Sequence, residues 1–168
     1  MEVSFRPMRR KSQLLPEAEC LAILNRAASG VLALSGDNGY PYAVPLSYVY
    51  AGGKLYFHGA KQGHKLDAVR RESKASFCVV DQDEVVPEKY ATNYRSVIVF
   101  GKIKVLEDPA EIRAAIEKLG LRYAPDNPRA MLDQEIDTEW PALCVFEMTV
   151  EHMTGKEAKA LALQRQDQ

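Results

Sequence analysis

The 168-residue chain is 46% hydrophobic and 27% charged, ordinary proportions for a globular protein with a real core. Its formal net charge of -1 supplies no global field for nucleic acid or for an anionic membrane, so neither partner is expected. No apolar run nears the roughly 20 residues that a bilayer crossing needs, and the first ten residues hold no apolar signal core, so a cytoplasmic protein is expected.

In chain order, residues 1–14 read as an irregular arm. Pro16-Glu17-Ala18-Glu19 opens a helix with proline and carboxylates at its positive end, and Ser29-Gly30 closes it. Val31–Ser35 is a first strand, Gly36–Gly39 a turn, and Tyr40–Tyr50 a second strand paired back as a hairpin. Pro41 and Pro45 put that strand at an edge or on a bulge. A glycine turn at Gly52-Gly53 leads to a third strand, Leu55–His58. A helix follows over Gly63–Glu72 and a fourth strand over Ala75–Val80.

Asp81–Thr92 is charged, contains Pro87 and reads as a long loop. Tyr94–Leu106 is a fifth strand, and Asp108-Pro109-Ala110-Glu111 starts a helix. Met131–Ile136 is a short helix, Leu143–Val150 a sixth strand, and Glu157–Gln168 a charged helical tail. With no repeat and no low-complexity linker, one domain over residues 1–168 is expected, its core at about 14–156. The fold class is mainly β with peripheral helices, arranged as an antiparallel barrel.

Several chemistries lack their motifs. There is no GxSxG, HExxH, GxGxxG or GxxxxGK[ST]. Cys20, Cys78 and Cys144 form no CxxC pair and read as small buried hydrophobes, so no metal site is expected. The segment that stands out is Leu55-Tyr56-Phe57-His58-Gly59-Ala60 followed by Gly63-His64-Lys65-Leu66-Asp67. An apolar strand ends on a histidine, and a helix then opens on His64 and Lys65. Backbone N–H groups at Gly63 to Lys65, joined by those side chains, suit a phosphate. The competing readings are a solvated lysine at a surface helix start and a structural His58. Pro45 cannot donate to a strand ladder, which leaves neighbouring backbone groups able to face a flat ring. Trp140 either packs the core or caps a ligand groove.

Four segments together resemble the nitroimidazole-resistance (Nim) branch of the pyridoxamine 5′-phosphate oxidase-like flavoproteins: Tyr42–Tyr48, Leu55–Ala60, Gly63–Asp67 and Asn93–Gly101. His152-Met153-Thr154-Gly155-Lys156-Glu157 is similar to the closing motif of that family, and the motifs run in family order over residues 8–157. The resemblance implies a split β-barrel that forms a homodimer with FMN at the subunit interface. It implies that Pro45, Leu46, Ser47 and Tyr48 lie along the isoalloxazine, that His58, Gly59 and Ala60 flank it, and that Gly63, His64 and Lys65 hold the phosphate. Tyr94, Arg95, Ser96 and Lys156 would approach the cofactor, in part from the partner subunit.

On that reading the protein is an FMN-dependent oxidoreductase acting on a flat, electron-poor small-molecule acceptor such as a nitroimidazole. His58 would be its catalytic residue, giving a proton or hydrogen bond to the reduced acceptor. Two alternatives keep the barrel: a flavin carrier or sensor without turnover, and a binder of haem or another cofactor.

Overall fold

A computed structural model describes residues 4–166. Its elements are β1 (Leu14–Leu15), α1 (Glu17–Arg26), β2 (Gly30–Ser35), β3 (Pro41–Leu46), β4 (Val49–Ala51), β5 (Lys54–Ala60), α2 (His64–Arg71), β6 (Lys74–Val86), β7 (Ala91–Val105), α3 (Pro109–Tyr123), α4 (Arg129–Glu139), β8 (Leu143–Glu157) and α5 (Lys159–Gln166). The strands pair antiparallel in the order β3-β2-β6-β7-β8-β5-β4, with β1 added beside β8. The expected mainly β architecture with peripheral helices is present, but the sheet does not close, because β3 and β4 occupy its two free ends.

That opening corrects the second expected strand. Tyr40–Tyr50 is not continuous: β3 pairs with β2, β4 pairs with β5, and Ser47-Tyr48 crosses from one free edge to the other. The prolines sit on the edge strand β3, where a missing N–H costs no inner ladder bond. Asp81–Thr92 is not a loop either. It extends β6 and β7 into a long hairpin, with Glu84 opposite Asn93 and Val86 opposite Ala91. The sixth strand also runs past Val150 to Glu157, pairing with β7 and β1 across a bulge near Glu151.

Period-two alternation makes the core. Leu32, Leu55, Phe57, Phe77, Val79, Val97 and Val99 point inward and are fully buried, each contributing about 1.5–3 kcal/mol for the larger side chains. Ile23 and Leu24 of α1, and Leu66, Ala68 and Val69 of α2, pack in the same cluster. A second, smaller cluster joins Leu106, Ala115, Leu143 and Val145 to Ile112 and Ile116, which docks α3 against β5 and β8. Trp140 packs on this cluster from the end of α4.

Local chemistry fixes the helix that matters most here. Asp108 caps α3, its carboxylate accepting from Ala110 N at 2.8 Å and Glu111 N at 3.0 Å, with Pro109 in the first turn. At the other end, Arg122 donates to the carbonyl oxygens of Asn25 (2.6 Å) and Ala27 at the C-terminus of α1. The tail is less polar than its sequence suggests: Ala158, Leu161 and Ala162 are buried. Residues 167–168 of the expected tail helix lie outside the described residues. Among the described residues, no helix is long and apolar enough to cross a membrane.

Candidate functional site

Strand β5 carries Leu55 and Phe57 into the core, so the pleat turns His58 to the outer surface. The chain then reverses through Lys61-Gln62-Gly63. Gly63 has φ +118°, a conformation that excludes a β-carbon, and this lets α2 begin directly beneath the end of β5. Lys65, in the first turn of α2, reaches back under the strand. A β-carbon on Gly59 would stand 2.9 Å from Lys65 Nζ and 3.4 Å from the Phe146 ring, and Nζ itself lies 5.6 Å from that ring's centre.

Lys65 is half-buried, and no carboxylate pairs with it among the described residues. Burial pulls its pKa below the ordinary lysine value. A partly desolvated ammonium without a counter-charge is a costly arrangement that an incoming anion relieves. Burial, with the nearby Lys65 ammonium second, also lowers the His58 pKa below 6.5. That shift favours the neutral imidazole of His58 over its charged form.

His64 has neighbours of its own. Its ring stacks on Tyr42 with centroids 4.0 Å apart, and Nε2 lies 3.6 Å from Asp37. Arg71 holds the same carboxylate at 2.8 Å, and Arg71 followed by His64 keeps the Asp37 pKa below its usual range. His64 thus leans towards β3, while Lys65 leans towards β5.

Above His58, Gly59 and Ala60 lies a cavity of about 630 Å³. Ser47 forms one wall, and α3 and α4 roof it with Leu119, Tyr123 and Ile136. The Tyr123 hydroxyl accepts from Tyr48 N at 2.9 Å and lies 2.5 Å from Ala28 O and 3.0 Å from Tyr48 O, donating to one of these carbonyls. One side chain therefore fixes the Ser47-Tyr48 crossing. Tyr48 is fully buried, its hydroxyl donates to Leu24 O at 2.8 Å, and burial pushes its pKa up to about 12. Ser47 faces the cavity, whereas the Tyr48 ring belongs to the core. Pro45 and Leu46 lie opposite Val31 and Gly30 on the free edge.

The remaining expected residues sit elsewhere on the sheet. Ser96 faces Lys156 across β7 and β8, and Lys156 Nζ lies 5.6 Å from the centre of the Tyr94 ring. Arg95 is held at 3.2 Å by Glu157, a fully buried carboxylate that Arg165 also binds at 2.7 Å. In β8, Val145 faces His58 while Lys156 faces Ser96, roughly 36 Å apart along an extended strand. A single chain does not bring the two groups together along the sheet.

Two features escaped the sequence. The roof of α3 and α4 depends on long-range packing that no local pattern encodes. Lys61 and Arg70 lie near the buried Cys144 thiol together with Lys65. Burial raises the pKa of that thiol, while Arg70, Lys65 and Lys61 oppose the rise. The spacing of Lys61 and Lys65 across the glycine turn was the available signal. Cys20 is buried as expected, while Cys78 is only half-buried, on the outer face of the sheet.

The architecture is an open antiparallel sheet with peripheral helices and a lysine-bearing turn between β5 and α2. The family model described as pyridoxamine 5′-phosphate oxidase matches residues 16–157, and the chain belongs to that family. Among solved structures it is similar to a protein from Bacteroides thetaiotaomicron described as a candidate 5-nitroimidazole antibiotic resistance protein (22% identity, 86% of each chain, TM-score 0.75). It is also similar to an FAD-binding protein from Mesorhizobium loti (25% identity, 87% of this chain and 97% of that one, TM-score 0.61). A third likeness is to an FAD- and haem-binding protein from Mycobacterium smegmatis (21% identity, 89% and 74%, TM-score 0.70). No curated protein matches.

Proposed function

We propose that this protein is a homodimeric FMN-binding flavoprotein that reduces flat, electron-poor small molecules, with nitroimidazoles as one candidate class. The observation that carries the reading is Lys65: a half-buried ammonium without a carboxylate partner among the described residues, lodged against Gly59 on the face of β5 opposite His58. The donor set fits a phosphorylated flat ring. Lys65 and the free N–H groups at the start of α2 meet the phosphate, and Gly59 offers no side chain to obstruct it. The similar proteins described as FAD-binding support the flavin class.

When bound, the flavin would supply the redox chemistry, and the protein would supply position and electrostatics. Ser47, Gly59 and Ala60 shape the wall against which a planar group rests. The apolar roof of Leu119 and Ile136 keeps water from it. Neutral His58 presents one ring N–H to an acceptor oxygen, and it delivers a proton only as the pH falls towards its lowered pKa.

Dimerisation is proposed from an exposed apolar face. Val31, Cys78 and Ile98 are direct cross-strand neighbours, with Val80 and Phe100 two residues along on the same side. Val31, Ile98 and Phe100 are each about 40% exposed and Val80 is 59% exposed. Pro45, Ser96 and Lys156 flank this row on the same outer face, one cross-strand position or one side-chain repeat away. A second copy seated there would cover the apolar stripe and would present its own Ser96 and Lys156 to a neighbouring site.

The test is the absorption spectrum and flavin content of the freshly purified protein, with sedimentation for assembly. Bound flavin at one per chain, and steady-state acceptor reduction that His58→Ala slows without releasing flavin, are expected. Colourless protein that takes up no FMN would overturn the proposal.

A further inference from the structure

A second cavity of about 770 Å³ lies between α2, the ends of β7 and β8, and the start of α3. Leu143 lines both cavities. Arg70 of α2, Lys61 of the turn before it, and the Ser73 hydroxyl all border the second space. Among the described residues neither cation has an ion-pair partner. Lys61 touches only the carbonyl of Trp140, at 3.5 Å. Lys104 also lines the space but is tied to Glu147 at 3.6 Å.

The rest of the lining is complementary in kind. Glu107 is a carboxylate on the same cavity without a cationic partner among the described residues, and Leu106 and Ile112 form an apolar wall. Two free cations and a hydroxyl suit a pyrophosphate. A carboxylate suits vicinal sugar hydroxyls, as it does in other nucleotide sites. The apolar wall suits a base, and the volume lies within the range of small-ligand pockets.

We infer that the Lys61–Arg70–Ser73 cavity binds the nucleoside diphosphate portion of a ligand. This goes beyond the flavin reading, since it does not require a ring beside His58. The chemistry is shared by two sources: the nucleotide half of a flavin dinucleotide whose ring lies across Leu143, and a separate nucleotide such as a nicotinamide dinucleotide.

ADP titrated calorimetrically into the full-length protein tests it. Saturable binding is expected, weakened at least tenfold by Arg70→Glu and by Lys61→Glu. Lys89→Glu, the same charge change on the exposed β6–β7 hairpin, should leave it within twofold. Competition with FAD but not with FMN would assign the cavity to a flavin dinucleotide, and absence of competition from either would assign it to a separate nucleotide. No saturable ADP binding, or equal weakening by all three substitutions, would overturn the inference. A colourless protein that still binds ADP through Arg70 would remove the flavin reading and leave this one standing.

Discussion

Lys65 Nζ stands 2.9 Å from the place a β-carbon would take on Gly59, so the bare backbone of Gly59 is what admits the ammonium under strand β5. The obstructing atom is the tip of a flexible chain rather than backbone. Gly59→Ala should therefore displace Lys65 at little cost to the fold. Flavin affinity should fall about tenfold, or about 1.4 kcal/mol, with Tm nearly unchanged. Fluorescence titration and thermal melts measure both. A variant with full affinity would detach Lys65 from the phosphate.

Lys65→Met should separate stability from binding in the same way. The native lysine is desolvated without a counter-charge, so an apolar replacement of similar length should hold or raise Tm. The same change should cost flavin binding at least tenfold. A fall in Tm together with intact flavin binding would mean that Lys65 serves the fold instead.

His58 gives a pH signature. Its folded pKa lies below the unfolded 6.5, so the unfolded chain binds more protons in the window between the two values. The stability contributed by His58 is complete above pH 6.5 and is lost as the pH falls through the folded pKa. His58→Asn should flatten that acid limb of Tm against pH. In turnover the wild type should accelerate on acidification below pH 6.5, and the variant should not.

Much of this was legible before the fold was. The Pro16 and Asp108 helix starts, the β2–β3 turn and the His58–Lys65 segment follow from local chemistry. The Asp81–Val86 hairpin arm was missed because no hydrophobic face is imposed on strands that project beyond the core, and charged residues there mimic a loop. The Ser47-Tyr48 crossing was hidden because the apolar run continues through it. Its cause lies in sequence-distant Tyr123, as does the roof over His58.

Tyr123→Phe tests that long-range link. It removes the acceptor for Tyr48 N and the donor to the carbonyls, a loss of about 1–3 kcal/mol. Tm should drop by about 2–12 °C. Because Ser47 is freed to shift, affinity for a ring in the adjoining cavity should weaken as well. Stability loss with unaltered ligand binding would exclude Ser47 from the site.

Ile98→Lys places a charge in the middle of the exposed apolar stripe without touching the core. Sedimentation should show a folded monomer in place of a dimer, with flavin lost because Ser96 and Lys156 of a second copy no longer arrive. A dimer that survives the substitution would move the interface to another surface.

The most direct measurement is equilibrium binding of FMN to the wild-type protein and to Lys65→Met, followed by flavin absorbance and fluorescence. One FMN per chain on the wild type, and at least tenfold weaker binding on the variant, is the expected result. Equal binding by both proteins, or none by the wild type, contradicts a phosphorylated flavin at the β5–α2 turn.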